Sequence, residues 1–341
     1  MEISIGLKVR SHPTISIIIP HYNSADYIAE TLDSVFSQSF SDFEVIVVND
    51  GSPDSSRLYS AIEPYRDRIV FIDKPENEGA STARNLGVEH ARGDLFSFLD
   101  SDDIWFPTFL EELSAFLSST DFDMVYADAE KFLEVQNQKI GDFLPFNPPQ
   151  GEVTRAMCVA GQCHLFVASG ALLKRSVFET VGRFDPEVSR TEDFDFAMRL
   201  LSEGFRIGYL RKVLFTYRLR PGSYSGDSIV RHERNVLQWR ILQKKLDFTD
   251  EENVMVEGHI KSEEAAILRA KGRMYLERGD WRSAKEMFRS ARLKAAELGL
   301  PTAHKLRLTA VLTMLSLWPS ALRYLFRRFR RDEIDFMPEG S

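Results

Sequence analysis

Several features that mark specialised proteins are scarce in this chain of 341 residues. The two cysteines, Cys158 and Cys163, are too few for a disulfide framework, and their spacing fits no zinc motif, so we expect a reducing, cytoplasmic setting. Residues 1–14 hold no apolar signal core, so we do not expect export. An excess of positive charge is also missing. The formal net charge is −8, which argues against a nucleic-acid-binding protein because phosphate neutralisation needs clustered basic residues.

The rest of the composition is that of a folded protein with a sizeable core. Hydrophobic residues make up 43% and charged residues 28% of the chain, which excludes a disordered or collagen-like protein. At about 150 residues per domain, the length favours two domains. We place the boundary in the Gly-, Ser- and Pro-containing stretch 220–227, so that residues 1–226 form one domain and residues 227–341 the other.

Apolar runs and helix-like segments alternate in the first part of the chain, which predicts βαβ units and an α/β sheet with right-handed crossovers. The predicted strands are 15–19, 43–48, 68–72, 95–99, 123–127, 206–210 and 213–217. The predicted helices are 24–38, 79–91, 106–117, 174–181 and 192–203, with a Pro- and Gly-rich loop at 141–151. We expect Pro20 to end the first strand. Ser52 and Pro53 have the residue types that begin a helix.

After residue 227 the composition predicts helices alone. Residues 265–301 have the alternation of small and large side chains that is typical of one tetratricopeptide-like hairpin. One copy cannot form a solenoid, because each repeat needs neighbours to bury its faces. The sequence therefore favours a helical appendage over a peptide-binding array.

The segment 304–331 is basic and amphipathic and contains no acid. Its uncharged run is too short to span a membrane. Two interpretations stay open. The segment lies on an anionic membrane, as a peripheral contact on the inner face, or it packs on its own domain and ends in a solvated basic tail.

Polar clusters follow the predicted strands, at the carboxyl ends where open α/β sheets bind ligands. They are residues 20–23 (PHYN), 49–52 (NDGS), 78–85 (EGASTARN) and 100–103 (DSDD). Unpaired carboxylates this close together repel one another, and a hard divalent cation relieves that repulsion. Asp100 and Asp102 would point to one side of an extended chain and could hold Mn²⁺ or Mg²⁺, which accept oxygen ligands. The alternative is a solvated acidic turn in which Asp103 caps the next helix.

Other polar residues suit contacts with a nucleotide or a position in a cleft. Asp50 could accept a hydrogen bond from a base, although Asn-Asp-Gly is also ordinary turn chemistry, and Tyr22 could contact the same base. Arg84 is either a structural ion pair or a cation beside a diphosphate. Thr191 is a predicted N-cap, which places the following acids in a first helical turn, where they also complement the helix dipole. Asp193 would then face a cleft.

Together these segments resemble a family 2 glycosyltransferase. The matching segments, in family order, are ISIIIPHYN, FEVIVVNDGSPD, NEGASTARNLG, FSFLDSDD, SGALLKRSVFETVGRFDP and RTEDFDFAMRL. The resemblance implies an α/β, Rossmann-like domain of the A-type glycosyltransferase fold, followed here by an all-helical appendage. It also implies transfer of a sugar from a nucleotide donor to a glycan or lipid-linked hydroxyl with inversion, in polysaccharide or glycoconjugate synthesis. UDP is the expected nucleotide, and dTDP stays open because thymine also carries a ring N–H.

The same resemblance implies a role for individual residues. Nucleotide contacts are implied for Pro20, Tyr22, Asn23, Asp50, Gly51, Gly79, Arg84 and Asp100. Metal contacts are implied for Asp100 and Asp102, and catalysis for Asp193 as general base with Glu192 beside it. Gly170 and residues 182–185 would shape the donor and acceptor sites.

The sequence departs from the family pattern at two places. Relatives often carry a histidine near Arg220, and arginine cannot ligate a cation, so His164 and His232 are weak candidates for a third metal ligand. Residues 238–240 (QWR) have the wrong order for the motif of processive synthases, which favours transfer of a single sugar. Two other functions were weighed: a non-catalytic nucleotide-sugar-binding protein, and a metal-dependent nucleotidyltransferase, which would release pyrophosphate and would not need Asp193.

Overall fold

The computed structural model describes residues 1–9, 11–142, 149–163, 165–188, 191–220, 228–297, 302–317 and 320. The chain divides into two compact units, Met1–Pro221 and Gly222–Ser341. The first unit is built on a β-sheet, and the described part of the second unit is helical.

The described strands of the first unit form one sheet of eleven strands. They are β1 (Glu2–Ile5), β2 (Ile15–His21), β3 (Phe43–Asp50), β4 (Ile69–Lys74), β5 (Leu95–Phe98), β6 (Ile104–Trp105), β7 (Met124–Leu133), β8 (Gln138–Asp142), β9 (Gly151–Val153), β10 (Ala171–Lys174) and β11 (Ile207–Leu219). Its α-helices are α1 (Ile28–Phe36), α2 (Ser55–Ile62), α3 (Ala80–His90), α4 (Phe109–Ser118), α5 (Arg155–Val159), α6 (Arg175–Val181) and α7 (Glu192–Ser202).

The sheet combines parallel and antiparallel pairs in the order β1-β4-β3-β2-β5-β10-β7-β11-β6. The neighbours β4, β3, β2 and β5 are parallel, and β10 lies antiparallel between β5 and β7. All residues of β2 are buried, as its continuous β-branched run predicts for the middle of a parallel sheet. The predicted α/β sheet is confirmed, and the carboxyl ends of β2, β3 and β5 meet at one edge.

The prediction that Pro20 ends the first strand is wrong. Strand β2 continues through Pro20 to His21, which lies opposite Asn49 of β3. On the other side, the pairing with β5 stops at Ile18. Proline is tolerated here because the strand has passed the end of β5, so no ladder bond requires an N–H from Pro20 on that side.

The predicted start of the helix at Ser52 is also wrong, because α2 begins at Ser55. The side chains of Ser52 and Asp54 serve another purpose. Ser52 Oγ accepts a hydrogen bond from Asn23 N–H at 2.6 Å, and Asp54 Oδ2 accepts one from Ala25 N–H at 2.9 Å. These bonds fix the chain just after β2, at the edge where the site lies.

Three other differences arise from tertiary pairing. Helix α4 begins at Phe109, because the two residues of β6 pair with β11. The predicted strands 206–210 and 213–217 are one strand, β11, with irregularities between Leu210 and Phe215. Strands β1 and β10 were not predicted; β1 pairs with β4, and β10 pairs with β5 and β7. Part of the predicted loop 141–151 lies outside the described residues, and its described ends belong to β8 and β9.

The second unit contains α8 (Ser228–Lys245), α9 (Asp250–Arg278), α10 (Trp281–Glu297) and α11 (Thr302–Leu317). Helix α9 starts with a capping box and ends at Gly279 in the left-handed conformation. A Cβ on Gly272 would lie 3.0 Å from the ring of Phe288, so the small residue lets α9 and α10 approach closely. Leu276, Ala284 and Phe288 belong to the core cluster of this unit.

The basic segment 304–331 is described only in part. Helix α11 covers its beginning, and the arginines from residue 323 onward lie outside the described residues. None of the described helices combines the length and the hydrophobicity that a bilayer span requires.

Candidate active site

A buried guanidinium joins two of the predicted site segments. Arg84, in α3, is 3% exposed. Its Nη2 donates to Asp100 Oδ1 at 2.7 Å, and its Nη1 donates to Glu192 Oε1 at 2.6 Å. Burial opposes the charge of Arg84, but the carboxylates of Asp100, Glu192 and Asp193 outweigh burial and raise its pKa. Arg84 is therefore a permanent cation that links the turn after β5 to the start of α7.

Asp193 lies in the first turn of α7, which begins after Thr191 as predicted. Its Oδ2 accepts a hydrogen bond from Ala168 N–H at 2.9 Å. Its Oδ1 is buried and has no hydrogen-bond partner among the described residues. Burial raises the pKa of Asp193 to about 7, aided by the charges of Glu192 and Asp100 and opposed by Arg84. A carboxylate with a vacant oxygen and a pKa near neutrality suits proton transfer.

Residues 100–103 form a turn and not the extended strand end that was predicted. Strand β5 stops at Phe98, and Asp103 N–H donates to the carbonyl oxygen of Asp100 at 3.1 Å. Asp103 does not cap the next helix, which begins after Thr108. It is buried, and its Oδ1 accepts a hydrogen bond from Arg218 N–H at 3.0 Å.

The turn concentrates negative charge. Burial and the charge of Asp100 raise the pKa of Asp102, and burial together with Asp102 raises the pKa of Asp103 well above its usual value. One oxygen of Asp102, Oδ2, accepts a hydrogen bond from Arg220 Nε at 2.5 Å. Even with arginines paired to Asp100 and Asp102, the carboxylates destabilise one another's ionised forms, so an added cation would be favourable.

The donor set at this turn fits a divalent cation in part. Each of Asp100 and Asp102 has one carboxylate oxygen engaged by an arginine. Magnesium typically binds through one or two carboxylates plus substrate phosphates, which two aspartates satisfy. Within the described ranges, no three acidic, histidine or cysteine side chains come together as a metal site. A cation here would depend on phosphate oxygens for several of its ligands.

Asp50 anchors a neighbouring loop. It ends β3 opposite Lys74 of β4, and its Oδ1 accepts hydrogen bonds from Lys74 Nζ and from Glu78 N–H at 3.1 Å. Its Oδ2 accepts one from Gly79 N–H at 2.8 Å. Lys74 was not among the predicted site residues. Its place at the end of a buried strand beside β3 could have indicated that it lies near Asp50.

The chain after β2 supplies an aromatic ring and a backbone acceptor. Tyr22 is 47% exposed, so its ring is open to a ligand. Asn23 has a φ of 50°, and its carbonyl oxygen accepts a hydrogen bond from Arg220 Nη1 at 3.3 Å. Pro20 is buried within the strand.

The remaining predicted site residues pack in the core, lie in the second unit or fall outside the described residues. A Cβ on Gly170 would lie 2.7 Å from Phe166 Cβ, so its small size serves core packing. Phe184, within 182–185, is buried beneath Arg84. His232 lies in the second unit, where its Nδ1 is 2.5 Å from Glu263 Oε2. His164 lies outside the described residues.

Gly51 and Gly79 provide a matched pair of substitutions. Both have positive φ, 60° and 93°, but a Cβ on Gly51 would overlap the backbone of Glu76, whereas a Cβ on Gly79 meets open space. We expect Gly51→Ala to lower the free energy of unfolding by about 1–3 kcal/mol more than Gly79→Ala, because it adds overpacking to backbone strain. Urea denaturation of both variants measures the difference. Equal losses of unfolding free energy in the two variants would show that the backbone at Glu76 shifts to accommodate the added Cβ without loss of stability.

Known proteins of one family are similar to this chain. The family description "Glycosyl transferase family 2" matches residues 16–182. An uncharacterized glycosyltransferase of Rickettsia prowazekii is 30% identical over 254 residues, which cover 72% of this chain and 76% of that protein. The uncharacterized glycosyltransferase EpsJ of Bacillus subtilis is 30% identical over 222 residues, 62% of each chain.

Solved structures share the fold at low sequence identity. TarS 1–349 of S. aureus in complex with UDP-GlcNAc has a TM-score of 0.58 and 20% identity, covering 93% of this chain and 91% of that one. The mannosyltransferase PcManGT of Pyrobaculum calidifontis, in complex with GDP-Man and Mn²⁺, has a TM-score of 0.57 and 17% identity, covering 96% and 90%. The predicted A-type glycosyltransferase fold with a C-terminal helical region is thereby confirmed. With the family match and the curated relatives, it follows that the chain is a glycosyltransferase and belongs to glycosyl transferase family 2.

Proposed function

We propose that this glycosyltransferase moves a single sugar from a UDP-sugar to an acceptor hydroxyl, with inversion at the anomeric carbon and Asp193 as general base. The observation that carries the proposal is the vacant, buried Oδ1 of Asp193, on a carboxylate whose pKa is about 7. The chain Glu192–Arg84–Asp100 connects this base to the turn where the donor diphosphate is expected.

The geometry of Asp193 divides its two oxygens between two tasks. The hydrogen bond from Ala168 N–H holds Oδ2 and orients the carboxylate. Oδ1 then accepts the proton of the acceptor hydroxyl while the hydroxyl oxygen bonds to the anomeric carbon. The bond from that carbon to the diphosphate breaks, and the carbon carries oxocarbenium-like charge on the way. Attack opposite the leaving group gives inversion.

The residues after β5 account for the leaving group. Asp100 and Asp102 would hold Mn²⁺ or Mg²⁺, which when bound supplies Lewis-acid stabilisation of the departing diphosphate. Arg84 holds Asp100 in place and pairs with Glu192 beside Asp193. The Mn²⁺ of the mannosyltransferase structure supports a divalent ion here.

The nucleotide would lie along the ends of β2 and β3. The exposed ring of Tyr22 offers a surface for the base, and Asp50 fixes the loop that begins α3 through Gly79. Gly51 allows the chain to turn without a side chain at this edge. The complexes of TarS with UDP and with UDP-GlcNAc support UDP as the nucleotide.

A panel of nucleotide sugars tests this function directly. With Mn²⁺ present, UDP-sugars should raise Tm more than GDP- or dTDP-sugars, and the best of them should be slowly hydrolysed. A nucleotidyltransferase would instead release pyrophosphate from UTP. Binding of a UDP-sugar without hydrolysis or transfer would favour the non-catalytic alternative.

Asp102→Ala tests the proposed role of the turn at residues 100–103 in metal-dependent binding of UDP. We expect this variant to fold and to lose the part of UDP binding that depends on Mn²⁺, because one of two carboxylate ligands is gone. Calorimetric titration with UDP, with and without Mn²⁺, measures the effect. Asp121→Ala is the matched control, since Asp121 also pairs with an arginine but at the surface. Equal UDP affinity of wild type and Asp102→Ala under both conditions would contradict the role.

The identities of the acceptor and the pathway stay predictions. A glycan or lipid-linked hydroxyl in cell-surface polysaccharide or glycoconjugate synthesis is the class we propose. Peripheral contact of the basic segment 304–331 with an anionic membrane also stays a prediction, because the arginines of that segment from residue 323 onward lie outside the described residues.

A further inference from the structure

Two arginines are paired with the aspartates of the turn after β5, and they differ in accessibility. Arg84 is buried, and its two terminal nitrogens donate to Asp100 and Glu192. Arg220 has a side chain that is 20% exposed, paired with Asp102, which is 19% exposed. Of these two cations, Arg220 is therefore the one that can touch a ligand.

The guanidinium of Arg220 is held at the edge of the site from three sides. Its Nε donates to Asp102 Oδ2 at 2.5 Å, and its Nη1 reaches the carbonyl oxygen of Asn23 at 3.3 Å. Its centre lies 5.2 Å from the ring centroid of Tyr27. These contacts place the guanidinium between the end of β2 and the turn, beside Asp102.

A second arginine stabilises this placement. Arg218, two residues earlier in β11, donates from Nε to the carbonyl oxygen of Asp102 at 2.9 Å and from Nη2 to Glu30 at 2.6 Å. Its backbone N–H donates to Asp103. Arg218 thus ties β11 to the turn, while the long 3.3 Å bond of Arg220 Nη1 is weak and readily exchanged for a charged acceptor.

We propose that Arg220 binds the donor diphosphate directly, as a resident cation beside the aspartates of the turn. The inference rests on the proposed use of a nucleotide-diphosphate donor. A guanidinium stays charged at any physiological pH and presents a planar fork that matches phosphate oxygens. With Nε on Asp102, the terminal nitrogens remain for the phosphate. Part of the affinity for UDP therefore persists without a divalent ion.

The test separates contact with phosphate from a structural role. Binding of UDP and of uridine to the full chain is measured by calorimetry in EDTA and in Mn²⁺, for wild type, Arg220→Gln and Arg220→Lys. Arg211→Gln, an exposed arginine of β11, the strand that ends just before Arg220, is the matched control. Thermal denaturation checks that each variant folds, and Arg220→Lys, which keeps the charge, carries the test if Arg220→Gln does not fold.

We expect wild type to bind UDP in EDTA. Arg220→Gln should lower that affinity by about ten- to a hundredfold, the range for a charged hydrogen bond, and leave uridine within about twofold. Arg220→Lys should lose less UDP affinity, because the charge remains but the fork does not. Equal losses for UDP and uridine would make Arg220 structural and overturn the inference, as would UDP binding that is unchanged in Arg220→Gln or abolished by EDTA in wild type. A wild type that binds neither ligand under either condition would overturn the UDP-donor proposal itself.

Discussion

Asp193→Asn is expected to lower the rate of sugar transfer by about 10²–10⁴-fold, the usual contribution of a general base. The fold should persist, because the asparagine carbonyl can still accept the hydrogen bond from Ala168 N–H that Oδ2 accepts now. The affinity for the UDP-sugar should change little, since the substitution removes a proton acceptor and leaves the turn at 100–103 intact.

Initial rates with the donor identified by the nucleotide-sugar panel measure this effect. Glu203→Gln is the matched control, an exposed acid at the C-terminal end of the same helix. In wild type the rate should rise with pH and level off above about pH 7, because burial places the pKa of Asp193 there and only the ionised form accepts a proton. Near-normal turnover of Asp193→Asn would show that Asp193 is not the general base and that another acid of α7 must be tested in that role.

The same substitution should alter stability in a pH-dependent direction. The pKa of Asp193 is raised from 3.8 to about 7 in the folded protein, so the folded state binds this proton more tightly than the unfolded state. The contribution that this tighter proton binding by Asp193 makes to the free energy of unfolding is complete below about pH 4 and is lost as the pH rises through about 7. Asparagine does not ionise, so the Tm of Asp193→Asn relative to wild type should be higher at pH 8 than at pH 5.

Arg84→Met is expected to lower the free energy of unfolding by about 3–5 kcal/mol, the cost of breaking a buried ion pair by removing one partner. Methionine fills much of the space but leaves Asp100 and Glu192 without their common cation. The carboxylates would then repel one another with no cation between them. Transfer activity should fall as well, because Asp193 would lose the charge that opposes its protonation.

Chemical denaturation at neutral pH measures this loss. Arg206→Met is the control. Arg206 pairs with Asp121 and Glu152 near the surface, where ion pairs contribute about 0–1 kcal/mol. Similar losses for Arg84→Met and Arg206→Met would show that the buried pairs add nothing beyond an exposed one.

The sequence alone was enough to predict an α/β sheet, polar clusters at the ends of its strands, and the family. Apolar runs such as Ile15–Ile19 can be buried on both faces of a parallel sheet, so the positions of these runs predicted β2, β3 and β5. Because parallel strands present their carboxyl ends at one edge, the clusters at 49–52 and 100–103 could be assigned to the same site from the sequence. Local spacing also predicted that Asp193 begins a helix.

The pairing and the burial of the charged side chains could be seen only in the tertiary structure. Arg84 lies 108 residues from Glu192, and Arg220 lies 118 residues from Asp102, so no local pattern links these partners. The pKa of Asp193 depends on burial, on the N–H of Ala168 and on the sum of neighbouring charges, all of which arise from packing. For the same reason the sequence left open whether Arg84 is a diphosphate contact or an ion pair. The structure places Arg84 in a buried ion pair with Asp100 and Glu192, and it places Arg220, whose side chain is 20% exposed, beside Asp102.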